Sequence, residues 1–307
     1  MILNRLKQAR RQKRAKEQLA DSVRAKSNAL ALHLQNLTLH SSFAGTHNNQ
    51  SEPRLQPIVV SLTTFDKRIN DVFLTIESIF QQSLKADKVV LWISKDDFSQ
   101  EDLPMTLKHQ MNRGLEVEFC EKDLGPHTKY FYALKKYPDS LIVTVDDDIL
   151  YPIDMLDQLY RAYKKEPNVI HCNRGHKMLI DNSGNVQPYR QWQKSVSGSQ
   201  ASPLIFPTGV GGVLYFPGCF DEEVTHREAF ERMSPNADDV WLKAMSLKKG
   251  VLCKSVADTR EWSQRYLVIE GSQKFTLKRK NKSADTGNDV QINKVFEKYG
   301  LAALMKI

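Results

Sequence analysis

The stretch Leu141-Ile142-Val143-Thr144-Val145-Asp146-Asp147-Asp148-Ile149-Leu150-Tyr151-Pro152 decides how the rest of the chain is read. Its first five residues are apolar or β-branched, the composition of a short buried strand. Three carboxylates follow where that strand would meet solvent. Side by side they repel one another and lose hydration unless a positive charge sits on them. A divalent cation meets that need most simply. Side chains alternate along a strand, so Asp146 and Asp148 are expected on one face and Asp147 on the other. Mg2+ or Mn2+ takes one or two protein carboxylates and fills its other positions with water and substrate phosphates. The spacing therefore points to a nucleotide-diphosphate compound as substrate. The competing reading is an inert, solvated acidic loop behind a core strand.

Upstream of this stretch, strand-like and helix-like patterns alternate. Residues 58–62, 88–94 and 115–120 read as strands. Residues 70–82, 100–112 and 129–136 read as helices, the first with Val72, Phe73, Ile76, Ile79 and Phe80 on one face. With 141–145 as a fourth strand, this order predicts an α/β fold with a mostly parallel sheet covered by helices. Ligands of such sheets lie beyond the carboxyl ends of the strands, where the three aspartates stand. Beyond Pro167 the pattern is irregular. A strand over 168–172, a Gly-rich turn entering a strand over 208–216 and a helix over 236–249 are expected, while 274–282 is basic and poorly patterned.

The 307 residues are 41% hydrophobic, enough for a sizeable core, and carry a formal net charge of +8. Nearly all of that excess lies in the first forty residues, where nine Lys or Arg face only Glu17 and Asp21. This arm lacks Gly and Pro and reads as one helix over 1–40. Three readings of it stand: an amphipathic anchor on an anionic membrane surface, self-association as a coiled coil over 19–39, or a solvated helix. Residues 41–56 read as a polar linker, so the catalytic domain is expected over 57–307. Cys120, Cys172, Cys219 and Cys253 are widely spaced, which suggests buried thiols in a reducing compartment. The run His171-Cys172-Asn173-Arg174-Gly175-His176 lacks a nearby fourth ligand for zinc. No run approaches the roughly 20 apolar residues that span a bilayer. A cytoplasmic protein is expected, with the inner face of the membrane as its peripheral station.

Four motifs together resemble a known family: Ser61-Leu62-Thr63-Thr64-Phe65-Asp66-Lys67-Arg68, the triple aspartate, Thr208-Gly209-Val210-Gly211-Gly212, and Ala237-Asp238-Asp239-Val240-Trp241-Leu242 opening a helix. Over residues 57–262 the chain is similar to nucleotide-sugar glycosyltransferases of the GT-A fold. Among these it is most similar to bacterial capsule and lipopolysaccharide enzymes, including heparosan-type N-acetylglucosaminyl transferases. The resemblance implies that Asp148, with Asp146, holds Mn2+ or Mg2+ against the diphosphate. Asp146 would contact the ribose or the metal's hydration shell, and Asp147 the donor sugar. It also implies a donor site made by Thr63, Thr64, Arg68, Lys129, Gly211 and Gly212. Arg68 and Lys129 suit phosphate by charge, Lys129 with help from a helix N-terminus. His127 is the weaker candidate beside Lys129, because a lone histidine is more often a structural hydrogen-bonding residue.

By the same resemblance, Asp238 and Asp239 form the acidic pair of the catalytic centre. Asp239 matches the general base of inverting members, which takes the proton of the acceptor hydroxyl. Retaining relatives need no such base, and there Asp239 would position donor or acceptor. Asn236 or Asp238 is expected to cap the helix that follows. Arg174, His176 and Trp241 are the candidates for acceptor contacts. The implied partners are a nucleotide-sugar donor, a UDP-sugar, and a glycan acceptor. Two other classes compete: a metal-dependent phosphoryl or nucleotidyl transferase acting on nucleic acid, and a non-catalytic scaffold. Against the first, the basic arm lacks interleaved aromatics, so no nucleic acid is expected as partner. The scaffold reading requires that function survive loss of Asp148.

Overall fold

The computed structural model describes residues 2–47, 54, 56–269 and 287–305. The basic run at 274–282 lies outside the described residues, as do 48–53 and 55 of the linker. Two units are present, Met1–Ser41 and Ser42–Ile307. The first is a single helix, α1 (Ile2–His40), as the absence of Gly and Pro predicts. No described helix is long and apolar enough to cross a membrane.

The second unit is built on a seven-stranded sheet. Its strands are β1 (Ile58–Thr63), β2 (Lys88–Ser94), β3 (Leu115–Cys120), β4 (Leu141–Thr144), β6 (Ile170–Cys172), β10 (Val213–Tyr215) and β11 (Cys253–Ser255), in the order β11-β6-β10-β4-β1-β2-β3. β1 pairs in parallel with β2 and β4, β2 with β3, and β6 with β11. β10 alone among these strands runs antiparallel to its neighbours β4 and β6. The sheet is thus mostly parallel, and the α/β class expected from the alternating pattern is the one observed. Two smaller sheets complete the unit. One pairs β5 (Ile149–Leu150) with β12 (Leu267–Val268), and the other orders β7 (Gly175–Lys177) between β8 (Gln193–Val196) and β9 (Ile205–Pro207).

Local chemistry accounts for the differences in element length. The helix read over 100–112 is only α3 (Met105–Met111), because Pro104 sits before it in an extended conformation. The helix read over 70–82 is α2 (Val72–Phe80), all nine residues of which are buried, and a short 3-10 turn, Asp66–Asn70, precedes it. Part of the stretch read as a linker is fastened to the second unit. Gly45 N donates to Arg113 O (2.8 Å), His47 N donates to Ala86 O (2.7 Å), and Arg54 pairs with Asp87 (2.6 Å). A Cβ on Gly45 would fall 2.2 Å from the Phe80 ring, so only glycine permits this approach.

Glu77 of α2 and Arg113 after α3 form a buried bidentate pair, at 2.7 and 3.0 Å. Such a pair is nearly neutral against an apolar replacement of both partners, yet costly to break from one side. Arg113→Leu is expected to destabilise the protein by about 3–5 kcal/mol in urea denaturation, because Glu77 is left buried without its counter-charge. Glu77→Leu combined with Arg113→Leu should recover most of that loss. A double variant no more stable than the single one would refute this account.

Candidate active site

The parallel strands end on a cavity of about 550 Å3. Its lining includes Thr63, the last residue of β1, with Thr64 next to it, Asp123 after β3, and Asp146, Asp147 and Asp148 after β4. Its far side is formed by the start of α7 (Asp238–Lys248), with Arg174, Tyr189 and Trp262. Residues as far apart in sequence as Thr64 and Asp147, 83 positions, meet here because β1 and β4 are neighbours in the sheet.

The three aspartates do not alternate as a strand would place them. β4 ends at Thr144, its ladder closes with Val145 N donating to Ser61 O (3.1 Å), and the chain then turns. Asp147 and Asp148 consequently converge on one guanidinium. Arg68 donates from Nη1 to Asp147 Oδ1 and from Nη2 to Asp148 Oδ2, the latter at 3.1 Å, while Thr64 Oγ1 donates to Asp147 Oδ2 at 2.8 Å. Burial pushes the Asp147 carboxyl up to about 6, against Arg68 and Thr64, which pull it down. Asp146 turns the other way. Its backbone N–H is donated to the Tyr151 hydroxyl (2.9 Å), and its Oδ1 meets the Lys129 ammonium at 2.7 Å.

Lys129 stands in the first turn of α4 (Thr128–Lys136) and joins the two acidic groups. Its Nζ is also 3.2 Å from Asp238 Oδ2, and its side chain is only 6% exposed. Burial alone would lower its pKa, but the carboxylates of Asp146, Asp238 and Asp239 outweigh this and raise it. Sequence reasoning placed Lys129 on the donor phosphates. In the structure its ammonium is engaged by the carboxylates of Asp146 and Asp238 instead. Arg68 is likewise engaged by Asp147 and Asp148.

The α7 helix is not capped as expected. Ala237 is its N-cap, with no side-chain cap, and Asp238 and Asp239 fall within the first turn, where free N–H groups and the helix dipole favour negative charge. Asp239 Oδ1 accepts from Gly209 N at 3.0 Å. Even so, burial, followed by the neighbouring Asp238, raises the Asp239 pKa well above the usual carboxylate range. A Cβ on Gly209 would lie 3.2 Å from both Asp239 Oδ1 and Lys129 Nζ. That position, rather than Gly211 or Gly212, is where the glycine turn meets the acids. Gly211 instead lies against Arg174, and Gly212 adopts φ +82°; neither lines the cavity, whereas Val210 just before them does.

Other candidates divide between cavity and core. Thr63 lines the cavity and donates its hydroxyl to Trp92 O (3.0 Å). Arg174 lines it too. Trp241 is fully buried, donates its indole N–H to Val224 O (2.9 Å) and packs on Phe230 and Tyr299, so no acceptor can reach it. His176 is buried, accepting from Ser195 N at Nδ1 (3.0 Å). His127 is held between the Tyr130 hydroxyl and Ser234 O and stacked on Phe230, and burial lowers its pKa to about 4. It is a neutral structural histidine. Sequence reasoning missed Tyr189 and Trp262, which lie in unpatterned segments, and passed over Asp123, which its place after β3 could have indicated.

The donor set fits a hard divalent cation. Among the described residues lining the cavity, six carboxylates (Asp123, Asp146, Asp147, Asp148, Asp238, Asp239) face three cations (Arg68, Lys129, Arg174). This excess of negative charge would repel a diphosphate unless a further cation joined it. No described group of three or more His, Cys, Asp or Glu side chains is arranged to hold a metal. Asp146 and Asp148 lie on different cations, Lys129 and Arg68, rather than side by side as expected, and each would supply one ligand at most, with the rest from water and phosphate.

Two outcomes are expected of these charges. Lys129→Met should cost about 3–5 kcal/mol in urea denaturation at pH 8, since Asp146 and Asp238 lose their shared counter-charge; an unchanged midpoint would refute it. In acid the linkage has two signs. His127 binds its proton more readily unfolded, so stability falls from about pH 6.5 toward pH 4; Asp147 binds its proton more readily folded, so its contribution rises from about pH 7 toward pH 4. Asp147→Asn removes only the second, and its stability should fall more steeply than that of the wild type between pH 7 and pH 5. Parallel curves would show that Asp147 titrates normally.

No family model matches the chain, and no curated protein matches it. Among solved structures it is similar to the mannosyltransferase PcManGT from Pyrobaculum calidifontis in complex with GDP-Man and Mn2+. The identity is 18% and the TM-score 0.41, and the match covers 79% of this chain and 66% of that one.

Proposed function

We propose that this protein is a metal-dependent glycosyltransferase that moves a sugar from a nucleotide-diphosphate donor, a UDP-sugar, to a glycan acceptor. The observation that carries the reading is the cavity at the carboxyl ends of the parallel strands, with its excess of carboxylates and its paired acidic clusters. The motifs that resemble bacterial capsule and lipopolysaccharide enzymes support a surface glycan as the acceptor. Asp146 and Asp148 would hold Mn2+ or Mg2+, which, when bound, offsets the charge of the diphosphate. Thr63 and Thr64, at the end of β1, lie where the nucleoside would enter.

Asp239 is the base in this reading. Its carboxyl lines the cavity and has a raised pKa, which brings its affinity for a proton closer to working pH than an ordinary aspartate's. The acceptor oxygen forms the new bond to the anomeric carbon, the bond from that carbon to the leaving phosphate oxygen breaks, and the hydroxyl proton passes to Asp239. The product is then of inverted configuration. Gly209 N–H orients the carboxylate, and Lys129 holds Asp238 beside it.

The test is to incubate the full chain with Mn2+ and a panel of UDP-, GDP- and CMP-sugars, following donor hydrolysis and thermal stabilisation. Stabilisation by a UDP-sugar with Mn2+ is expected. Asp148→Ala should lose that effect, and Asp239→Asn should keep nucleotide binding while turnover falls by about 10²–10⁴-fold. Stabilisation by DNA and by no sugar nucleotide would overturn the assignment.

A further inference from the structure

One side of the cavity differs in charge from the rest. Arg68 and Lys129 are each engaged by two carboxylates, but Arg174 has no carboxylate partner among the described residues. Its guanidinium meets only neutral groups. Nε donates to Ser195 Oγ (3.3 Å), Nη1 donates to Thr208 Oγ1 (3.3 Å), and Cζ lies 5.0 Å from the centre of the Trp262 ring. Trp262 is braced by Tyr266, stacked at 3.9 Å and 7°.

A second cation stands beside it. The Lys194 ammonium lies 3.2 Å from the centre of the Tyr189 ring, donates to Tyr189 O, and makes no ion pair among the described residues. Burial, and after it the charge of Arg174, lowers its pKa to about 8. Asp289, whose charge opposes that lowering without outweighing it, accepts from Tyr189 N at 2.6 Å. Two like charges held together in this way raise each other's energy until an anion joins them.

The arrangement is built rather than incidental. Ser195, adjacent to Lys194, has φ +50°, a strained value for a non-glycine residue, and in that conformation its N–H reaches His176 Nδ1 while its hydroxyl accepts from Arg174. Arg174 is therefore aimed by a strained serine and a buried histidine. Asp239 is near enough to raise the Tyr189 pKa, so this corner adjoins the carboxylate assigned as base.

We propose that Arg174 and Lys194 form an anion-binding subsite for the acceptor, which is an acidic glycan whose carboxylate or phosphate sits between the two cations while a sugar ring lies against Tyr189 or Trp262. Guanidinium pairs with either anion through two parallel hydrogen bonds, and aromatic faces suit the apolar faces of sugar rings. The assignment of this ligand as an acceptor rests on the glycosyl-transfer reading; the anion site itself does not.

The experiment therefore has two arms, both on the full chain. In the first, glucuronate, glucose 6-phosphate, inorganic phosphate and glucose are titrated calorimetrically into wild type, Arg174→Gln and Lys194→Gln. The two charged sugars should bind wild type at least tenfold more tightly than glucose, and each substitution should remove that preference. Equal affinity for charged and neutral sugars, or a preference that survives both substitutions, overturns the site. In the second arm, UDP is titrated with Mn2+ into the same proteins. Unchanged UDP affinity in the variants supports the acceptor assignment, whereas a tenfold loss in Arg174→Gln would place that guanidinium on the donor diphosphate and overturn the proposal. Failure of UDP to bind wild type would sink the glycosyl-transfer reading, and with it the acceptor role, while the first arm still decides whether an anion site exists.

Discussion

The ammonium of Lys129 is the interaction on which the site depends. It lies between Asp146, from the turn after β4, and Asp238, from the first turn of α7, and so ties the parallel half of the sheet to the irregular half. Without it, two carboxylates would be held close in a poorly hydrated place, and their repulsion would push β4 and α7 apart. Placing it costs desolvation, offset by three neighbouring carboxylates. The packing of α4 on β1 and β4 sets where that charge can stand, and Ser61 Oγ of β1 donates to Lys129 O, fixing the backbone at the same point.

A second crosslink completes the cavity. Arg68, carried on the 3-10 turn after β1, spans Asp147 and Asp148, and this bridge and that of Lys129 divide the triplet between them. The division follows from where β4 stops: past Val145 the chain turns, so adjacent aspartates no longer point to opposite sides. The carboxylates still outnumber the cations, and that residual charge is what makes a further cation chemically reasonable.

Much of the fold was legible because burial imposes periodicity. The runs at 58–62, 88–94 and 141–145 appear as strands that are buried almost throughout, whereas 115–120 alternates apolar residues with Glu116 and Glu118 and becomes the half-buried edge strand β3. The triple aspartate was legible as clustered charge behind a buried strand, Arg68 and the Asp238-Asp239 pair came from the resemblance, and all of them line the same cavity. Capping of α7 was misread because propensity favours Asn or Asp at an N-cap, while here tertiary demand for two carboxylates in the first turn prevailed. Trp241 was misread because an aromatic next to an acidic pair looks the same whether it faces a ligand or the core; its helical position turns it inward.

Taken alone, the sequence determined the α/β class, the strand ends where acids gather, and the residue types able to bind a cation. Those properties are local: hydrophobic period, charge density and turn chemistry act over a few residues. Only the tertiary structure decided that Lys129 meets carboxylates rather than open cavity, that Asp147 and Asp148 share one arginine, and that Arg174 and Lys194 stand together on aromatic rings. Each of these depends on which distant segments pack side by side, because electrostatic partnership is a matter of ångströms in space and is not encoded in separation along the chain.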